Sequence, residues 1–158
     1  MTSRVSSHLP LEEPIKTDRA WPPPKCAIWN HSGEWLAAFQ RCAPAAWSFL
    51  AVDRLQDLDK SLSDQPRAVA IVAWSEQWLT EDWIVLAELC QRVPTVVVSC
   101  ESLEEWELVL RQFGAIGVFG STLQAAQAVR LIDRHFQQAT GNCWSLEEEV
   151  EMDLRWGR

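Results

Sequence analysis

The sequence predicts an α/β protein in which helices cover both faces of a five-stranded parallel sheet. Apolar runs alternate along the chain with stretches of helical periodicity, and residues 94–137 show this order most clearly: strand, helix, strand, helix. The runs carry almost no polar side chains, as expected of strands in parallel sheets that are buried on both faces. Strand–helix–strand units are right-handed in about 98% of cases, so a three-layer sandwich is the simplest arrangement.

Five short apolar runs supply the predicted strands. The runs are Cys26–Trp29, Trp47–Val52, Ala68–Trp74, Thr95–Ser99 and Ile116–Phe119. The third run, AVAIVAW, is the most continuously apolar. A strand of this composition is typical of the centre of a sheet, so we expect the third strand to have neighbours on both sides.

Helical spacing of apolar residues predicts a helix after each strand. The first is predicted to begin near Ser32 or Gly33 and to stop at Pro44, and the next three cover residues 53–62, 82–92 and 103–113. The last begins at Thr122 and runs to Gln137 or Gln138. Ser102 and Glu105 form a capping-box pattern that predicts the start of the fourth helix at Leu103. Gly114 is the expected C-cap of that helix, and Thr122 is the expected N-cap of the last one.

Apolar side chains at helical spacing are predicted to face the sheet. In the first helix they include Trp35 and Phe39, in the third Ile84 and Leu86, and in the fourth Trp106. Burying one apolar stripe per helix is what holds such a helix against a sheet.

The chain is predicted to hold one domain between two polar ends. Residues 1–24 form a proline-containing leader expected to be disordered, residues 25–138 form the α/β domain, and residues 139–158 form an acidic tail. The net charge is −8. Residues 140–158 contribute −3 (five acids, two bases), residues 1–24 contribute zero, and residues 25–139 contribute the remaining −5.

Charge and hydropathy argue against two classes of partner. Phosphate neutralisation needs clustered Lys and Arg, which this acidic chain lacks, so no nucleic-acid partner is expected. For the same reason no membrane partner is expected, and because no run of about 18 apolar residues is present, no membrane span is expected either. The N-terminus has no apolar segment of the kind that secretory signals carry, so we expect a cytoplasmic protein.

The cysteines show no metal-binding pattern. The five are Cys26, Cys42, Cys90, Cys100 and Cys143, and no two have C-x-x-C spacing. In a reducing compartment such residues act as small buried apolar side chains, so we predict burial and no metal or other cofactor.

The alternation of elements resembles the response-regulator receiver domain, including its chemotaxis-regulator-like members. The resemblance covers about residues 25–138 and depends on Ser99 at the end of the fourth strand, Gly114-Ala115 before the fifth, and the long closing helix. It implies a flavodoxin-like (βα)5 fold with strand order 2-1-3-4-5. It also implies a site at the carboxyl ends of the strands, where open α/β sheets bind ligands.

This chain departs from the receiver site at most of its positions. The family resemblance implies an acidic pair after strand one for Mg²⁺, an Asp at the end of strand three as phosphoryl acceptor, and a Lys after strand five. Here those places hold other residues, and only the hydroxyl after strand four is kept. Glu76 lies in the loop after strand three, but a single carboxylate rarely builds a Mg²⁺ site. The degenerate receiver-site positions are Asn30, His31, Trp74, Ser75, Ser99 and Ser121.

Tryptophans gather where the acidic pocket of a receiver would lie. Trp74, Trp78 and Trp83 follow the third strand closely, and Trp29 ends the first. These indoles either fill the former pocket with core or present an anchor for a partner, because Trp is enriched at binding hot spots. The candidate interface residues are Trp78, Trp83, Trp106 and Trp156.

We therefore predict a non-catalytic pseudo-receiver that acts as a protein-interaction or signalling scaffold module and is not phosphorylated by the family mechanism. A protein partner is expected, and the resemblance points to helix four, strand five and helix five as a homodimer face. The alternative is a flavodoxin-like small-ligand site at Asn30–Gly33, Trp74–Ser75 and Ser99–Cys100. An enzyme using His31 with Ser32 or Ser99, or using Cys100, is a third hypothesis.

Overall fold

Five parallel strands form one sheet in the computed structural model, which describes residues 22–29 and 33–139. The strands are β1 (Lys25–Trp29), β2 (Ser48–Val52), β3 (Ala68–Ala73), β4 (Thr95–Val98) and β5 (Gly117–Phe119). Their order in the sheet is β2-β1-β3-β4-β5, and every neighbouring pair is parallel. The predicted fold class and strand order are confirmed.

A helix follows each strand. The helices are α1 (Glu34–Cys42), α2 (Asp57–Leu62), α3 (Thr80–Arg92), α4 (Glu107–Gln112) and α5 (Ala125–Ala139), and a 3₁₀ turn (Thr122–Gln124) leads into α5. Two core layers result, one on each face of the sheet. One face packs Trp35, Phe39 and Ile132 from α1 and α5, and the other packs Leu58, Leu86 and Leu110 from α2, α3 and α4.

Strand β3 is the central strand, as its composition predicted. All six of its residues are buried, and it pairs with β1 on one side and β4 on the other. Because side chains alternate along a strand, Ile71 packs with α1 and α5 while Val72 packs on the opposite layer. An apolar run without polar interruptions follows from this two-sided burial.

Helix α4 begins one turn later than the capping-box pattern predicted. Residues 104–106 form a turn, and the amides of Trp106 and Glu107 donate to the carbonyl of Leu103 at 3.0 and 2.8 Å. Leu103 is buried in the core, so the chain is held by its side chain before the helix starts. The predicted cap at Ser102 is therefore wrong.

Two other helix starts also differ from the expectation. Helix α2 begins at Asp57 because residues 54–58 form tight turns that bury Leu55. At the last helix Ser121 is the N-cap instead of Thr122, since its Oγ accepts a hydrogen bond from the Leu123 amide at 3.3 Å. Local hydrogen bonds to the backbone fixed the first residue of both helices, and the periodicity of apolar residues does not predict such hydrogen bonds.

Some side chains predicted to be buried are exposed. Ile84 of α3 is 55% exposed and Trp106 before α4 is 39% exposed, because each lies toward the solvent side of its element. Cys42 ends α1 and Cys100 follows β4, and both are exposed, whereas Cys26 is buried. The prediction that all the cysteines are buried is therefore wrong for Cys42 and Cys100.

Gly114 ends α4 as predicted. Its φ is +104°, and the amides of Gly114 and Ala115 donate back to the carbonyls of Arg111 and Leu110 at 3.0 and 3.1 Å. This pair of bonds is a Schellman motif, which needs a residue at positive φ and so favours glycine. The chain enters β5 at Gly117, three residues after this turn.

The proline run is attached to the domain at its end. Ser48 N donates to the Pro24 carbonyl at 3.4 Å, and Arg67 Nη1 donates to the Pro22 carbonyl at 3.2 Å. The other predictions for the leader and for the acidic tail lie outside the described residues. Within residues 22–29 and 33–139, no helix combines the length and the apolar character needed to cross a bilayer.

Candidate functional site

A cavity of about 490 Å³ opens at the carboxyl ends of β3 and β4. The start of α1 and the loops after the two strands form its walls. Its lining residues are Glu34, Trp35, Ala73, Trp74, Ser75, Glu76, Gln77, Ser99, Cys100 and Glu101. This is the edge of the sheet at which parallel α/β folds place their ligands.

The two serines of the cavity hold its loops in shape. Ser99 is buried, and its Oγ accepts a hydrogen bond from the Glu101 amide at 3.0 Å. Ser75 Oγ accepts from the Gln77 amide at 3.3 Å. Side-chain acceptors of this kind stabilise tight turns just after a strand. Both predicted positions therefore lie in the cavity wall, with their hydroxyl oxygens engaged by backbone.

Sequence reasoning missed two of the three carboxylates in the cavity wall. Glu76 was noticed in the loop after β3, but Glu34 at the start of α1 and Glu101 after β4 also line the cavity. The thiol of Cys100 donates to Glu34 Oε2 at 3.0 Å. Their positions in the sequence could have predicted this, because Glu34 follows β1 and Glu101 follows β4, and the carboxyl ends of these strands lie at the same edge of the sheet.

The carboxylates of the described residues do not converge on one point. Among residues 22–29 and 33–139, no group of three or more His, Cys, Asp or Glu side chains is arranged to hold a metal ion. None of the ten cavity-lining residues is Lys or Arg, so this wall offers no cation to balance a phosphoryl group.

Beside the cavity lies a chain of six aromatic rings, which we call the aromatic cluster. Its members are Trp29, Trp74, Trp78, Trp83, Trp106 and Phe113. Ring centroids are 5.8 Å apart for Trp29–Trp78, 5.3 Å for Trp78–Trp83 and 5.4 Å for Trp83–Trp106. Trp74 joins through Trp106 at 5.9 Å and Phe113 through Trp83 at 5.8 Å. These spacings are in the range of favourable aromatic pairs.

The aromatic cluster runs from the core to the surface. Trp29 is buried and its Nε1 donates to the Asp53 carbonyl at 3.2 Å, whereas Trp78 and Trp83 are half-buried and Trp106 is exposed. Of these rings only Trp74 also lines the cavity. The cluster therefore extends the core beside the cavity, and Trp106 remains open to solvent.

Two indole donors of the cluster have no acceptor within the described part of the chain. They are the buried Nε1 atoms of Trp74 and Trp78, and Trp35 in the cavity wall has the same property. A buried donor without an acceptor costs about 1–3 kcal/mol. The cluster therefore gains its stability from ring packing and apolar burial.

The remaining predicted site residues are not part of this cavity or cluster. Ser121 caps the 3₁₀ turn before α5 and does not line the cavity. Asn30, His31 and Trp156 lie outside the described residues. The structure thus brings together Trp74, Ser75 and Ser99 in the cavity, and Trp78, Trp83 and Trp106 in the cluster.

Cys26 and Cys90 do not line the cavity and are poor nucleophiles. Burial raises the pKa of the Cys26 thiol to about 12. Burial also raises the pKa of Cys90, opposed by a hydrogen bond with Thr95. Since the thiolate is the reactive form, neither residue supplies a nucleophile at neutral pH.

The fold is similar to that of a receiver domain of known structure. The signal receiver domain of a protein from Vibrio parahaemolyticus, described as a Luxo repressor, superposes with a TM-score of 0.58 at 10% sequence identity. The match covers 77% of this chain and 99% of that one. It shows a receiver-like α/β fold.

No family model matches the sequence, and no curated protein matches it significantly.

Proposed function

We propose that this chain is a pseudo-receiver: a receiver-fold module that works in signalling by binding another protein and does not use phosphoryl transfer. One observation carries the proposal. Strand β3 ends at Ala73 and Trp74 follows it, where the receiver resemblance implies an acceptor Asp, and the Trp74 ring packs on Trp106 with centroids 5.9 Å apart. An indole at this place cannot accept a phosphoryl group and is part of a packed aromatic cluster.

Further support comes from the cavity wall. Its carboxylates belong to Glu34, Glu76 and Glu101, which do not form a metal-holding group among the described residues. Phosphoryl transfer in receivers depends on such a group to offset charge on the transferred phosphate. The geometry therefore favours binding over catalysis, and we propose no enzymatic activity.

Incubation with acetyl phosphate and Mg²⁺ tests the proposal. Intact mass spectrometry should show the unmodified chain, while a receiver with its acidic residues intact gains one phosphoryl group in a parallel sample. A phosphoryl adduct on this chain would contradict the proposal. Peptide mapping would then show whether Glu76 or another cavity residue is the acceptor.

Small-ligand binding is the second candidate function, and the cavity itself favours it. A volume of about 490 Å³ is in the range of small-molecule sites, and indole, hydroxyl and carboxylate groups line it. Native and denaturing mass spectra of the purified protein separate the two candidates. A mass excess seen only in the native spectrum, and lost when Glu76→Trp narrows the cavity, would favour the ligand site.

The homodimer face implied by the receiver resemblance stays a prediction. Two exposed leucines belong to its elements: Leu108 in α4 and Leu123 before α5 are 68% and 92% exposed. Sedimentation at several protein concentrations would test it, with Leu108→Glu as the variant that should dissociate such a dimer.

A further inference from the structure

We infer that the surface of α3 and α4 binds a basic amphipathic protein segment, one that carries Arg or Lys together with apolar side chains. This inference rests on the proposed function, because it names the chemistry of the partner. Two features carry the inference: a contiguous aromatic patch that reaches solvent at Trp106, and the negative charge of the chain segment that holds this patch.

The aromatic patch consists of Trp78, Trp83 and Trp106. Their rings are in contact, with centroids 5.3 and 5.4 Å apart, and Trp106 is 39% exposed. Leu79 and Ile84, which follow Trp78 and Trp83 in the chain, are 67% and 55% exposed. The ring contacts make the three indoles contiguous, and contiguous apolar surface that reaches solvent is typical of interaction sites.

Negative charge is concentrated in the same segment. Residues 75–107 contain eight acidic residues and one Arg, a formal charge of −7. The rest of the described chain carries six acidic and eight basic residues, a formal charge of +2. The acidic residues belong to the loop after β3, to α3 and to the turns around α4, and they are exposed or half-buried.

The only base in this segment is already engaged. Arg92 Nη1 lies 2.6 Å from Asp59 Oδ2, and Arg92 Nη2 lies 3.5 Å from Glu88 Oε2. Arg111 of α4 pairs with Glu107 at 2.9 Å. Glu76, Glu81, Glu101, Glu104 and Glu105 therefore face solvent in a segment with no spare cation among the described residues.

Charge complementarity selects the occupant. A second copy that docked through the same segment would bring the −7 of residues 75–107 against the same charge, and like charges across an interface cost affinity. The acidic tail of this chain, −3 over residues 140–158, is disfavoured for the same reason. A basic segment gains both Coulomb attraction and cation–π contact with exposed indoles such as Trp106.

Fluorescence anisotropy with three labelled peptides tests the inference on the full-length protein. The first peptide is an amphipathic helix of Leu and Arg, the second replaces each Arg with Glu, and the third replaces each Leu with Gln. We expect binding of the first alone. Affinity should fall as salt is raised from about 0.05 to about 0.5 M, because the Debye length shortens.

Matched variants locate the binding surface. Trp106→Ala should weaken binding by about tenfold or more, as at interface hot spots. Glu105→Lys should weaken it several-fold, while Asp64→Lys, the same charge change in the exposed turn after α2, should leave it unchanged. Leu123→Ala, an exposed apolar truncation outside the surface, is the second control. Thermal unfolding of each variant confirms that it is folded.

Three outcomes overturn the inference. The first is binding of the Leu–Glu peptide as tightly as the Leu–Arg peptide, and the second is no binding of either. The third is an equal loss of affinity in Glu105→Lys and Asp64→Lys, which would show that only the net charge of the protein matters. Failure of the proposed function is seen separately, as a phosphoryl adduct in the acetyl phosphate experiment, whatever the peptides do.

Discussion

At the scale of single residues, Trp74 has the largest influence on what this fold can do. It follows β3 directly, donates its backbone N–H to the Val98 carbonyl at 2.7 Å, and lines the cavity with its side chain. The Trp74 ring therefore belongs to both the cavity wall and the aromatic cluster. A carboxylate there would leave a charge beside half-buried indoles, which burial disfavours.

Burial of Cys26 makes the free energy of unfolding fall at alkaline pH. Its pKa is raised from 9.0 to about 12 in the folded chain, so the folded state keeps the thiol neutral while the unfolded chain ionises. The stabilising contribution is complete below pH 9 and is lost as the pH rises from 9 through about 12. We expect the free energy of unfolding to decline over that range.

Denaturant unfolding of the wild type and of Cys26→Ala at several pH values measures this decline. The difference between the two proteins should shrink as the pH rises above 9. Cys90 contributes a loss of the same sign in both proteins, so the comparison isolates Cys26. A difference that stays constant up to pH 12 would contradict the assignment.

At the scale of secondary structure, α4 shows how a short helix is held. It has six residues, too few to be stable alone, and it begins only after Leu103 is anchored in the core. Leu110 is fully buried, while Leu108 on the same helix is 68% exposed. The helix therefore depends on one packed side chain more than on its own propensity.

Two leucine truncations on α4 provide a matched comparison. Leu110→Ala should lower the free energy of unfolding by about 2–5 kcal/mol, because it removes packed apolar volume from the core. Leu108→Ala should change it by about 0.5 kcal/mol or less, because the side chain is already solvated. Chemical denaturation of both variants measures the difference. Similar losses in the two would show that α4 is oriented differently from the structure.

At the scale of the whole molecule, charge and core are distributed unevenly. Every residue of the two core clusters lies between Cys26 and Phe136. The negative charge of the described chain is concentrated in residues 75–107, in the segment that carries the aromatic patch. Residues 75–107 therefore differ in charge from the rest of the described chain, and the binding proposal rests on this difference.

A fragment of residues 22–139 should fold on its own. It retains both core clusters, and it keeps the Pro22 and Pro24 carbonyls that accept bonds from Arg67 and Ser48. We expect thermal unfolding, followed by far-ultraviolet circular dichroism, to give the same midpoint as the full chain. A clearly lower midpoint would show that residues 1–21 or 140–158 stabilise the domain, against the predicted boundaries.

The fold was predictable because its signals are local and repeated. Apolar runs such as residues 68–73 and 95–98 have one physical reason, burial on both faces of a parallel sheet, and that reason leaves a pattern in the sequence. Gly114 could be predicted as a helix C-cap for a similar local reason, since a C-cap needs a positive φ and this favours glycine. Helix starts were less predictable, because buried side chains such as Leu103 moved them.

By itself, the sequence determined the alternation of buried strands with helices, and its resemblance to receiver domains implied the strand order that the structure confirms. Only the tertiary structure decided that Glu34 and Glu101 share a cavity with Ser99, and that Trp78, Trp83 and Trp106 form one continuous patch. Periodicity reports which side of an element is buried, since burial acts on each residue separately. Which side chains meet across elements depends on how those elements pack, and no local sequence pattern specifies the distance between side chains on different elements.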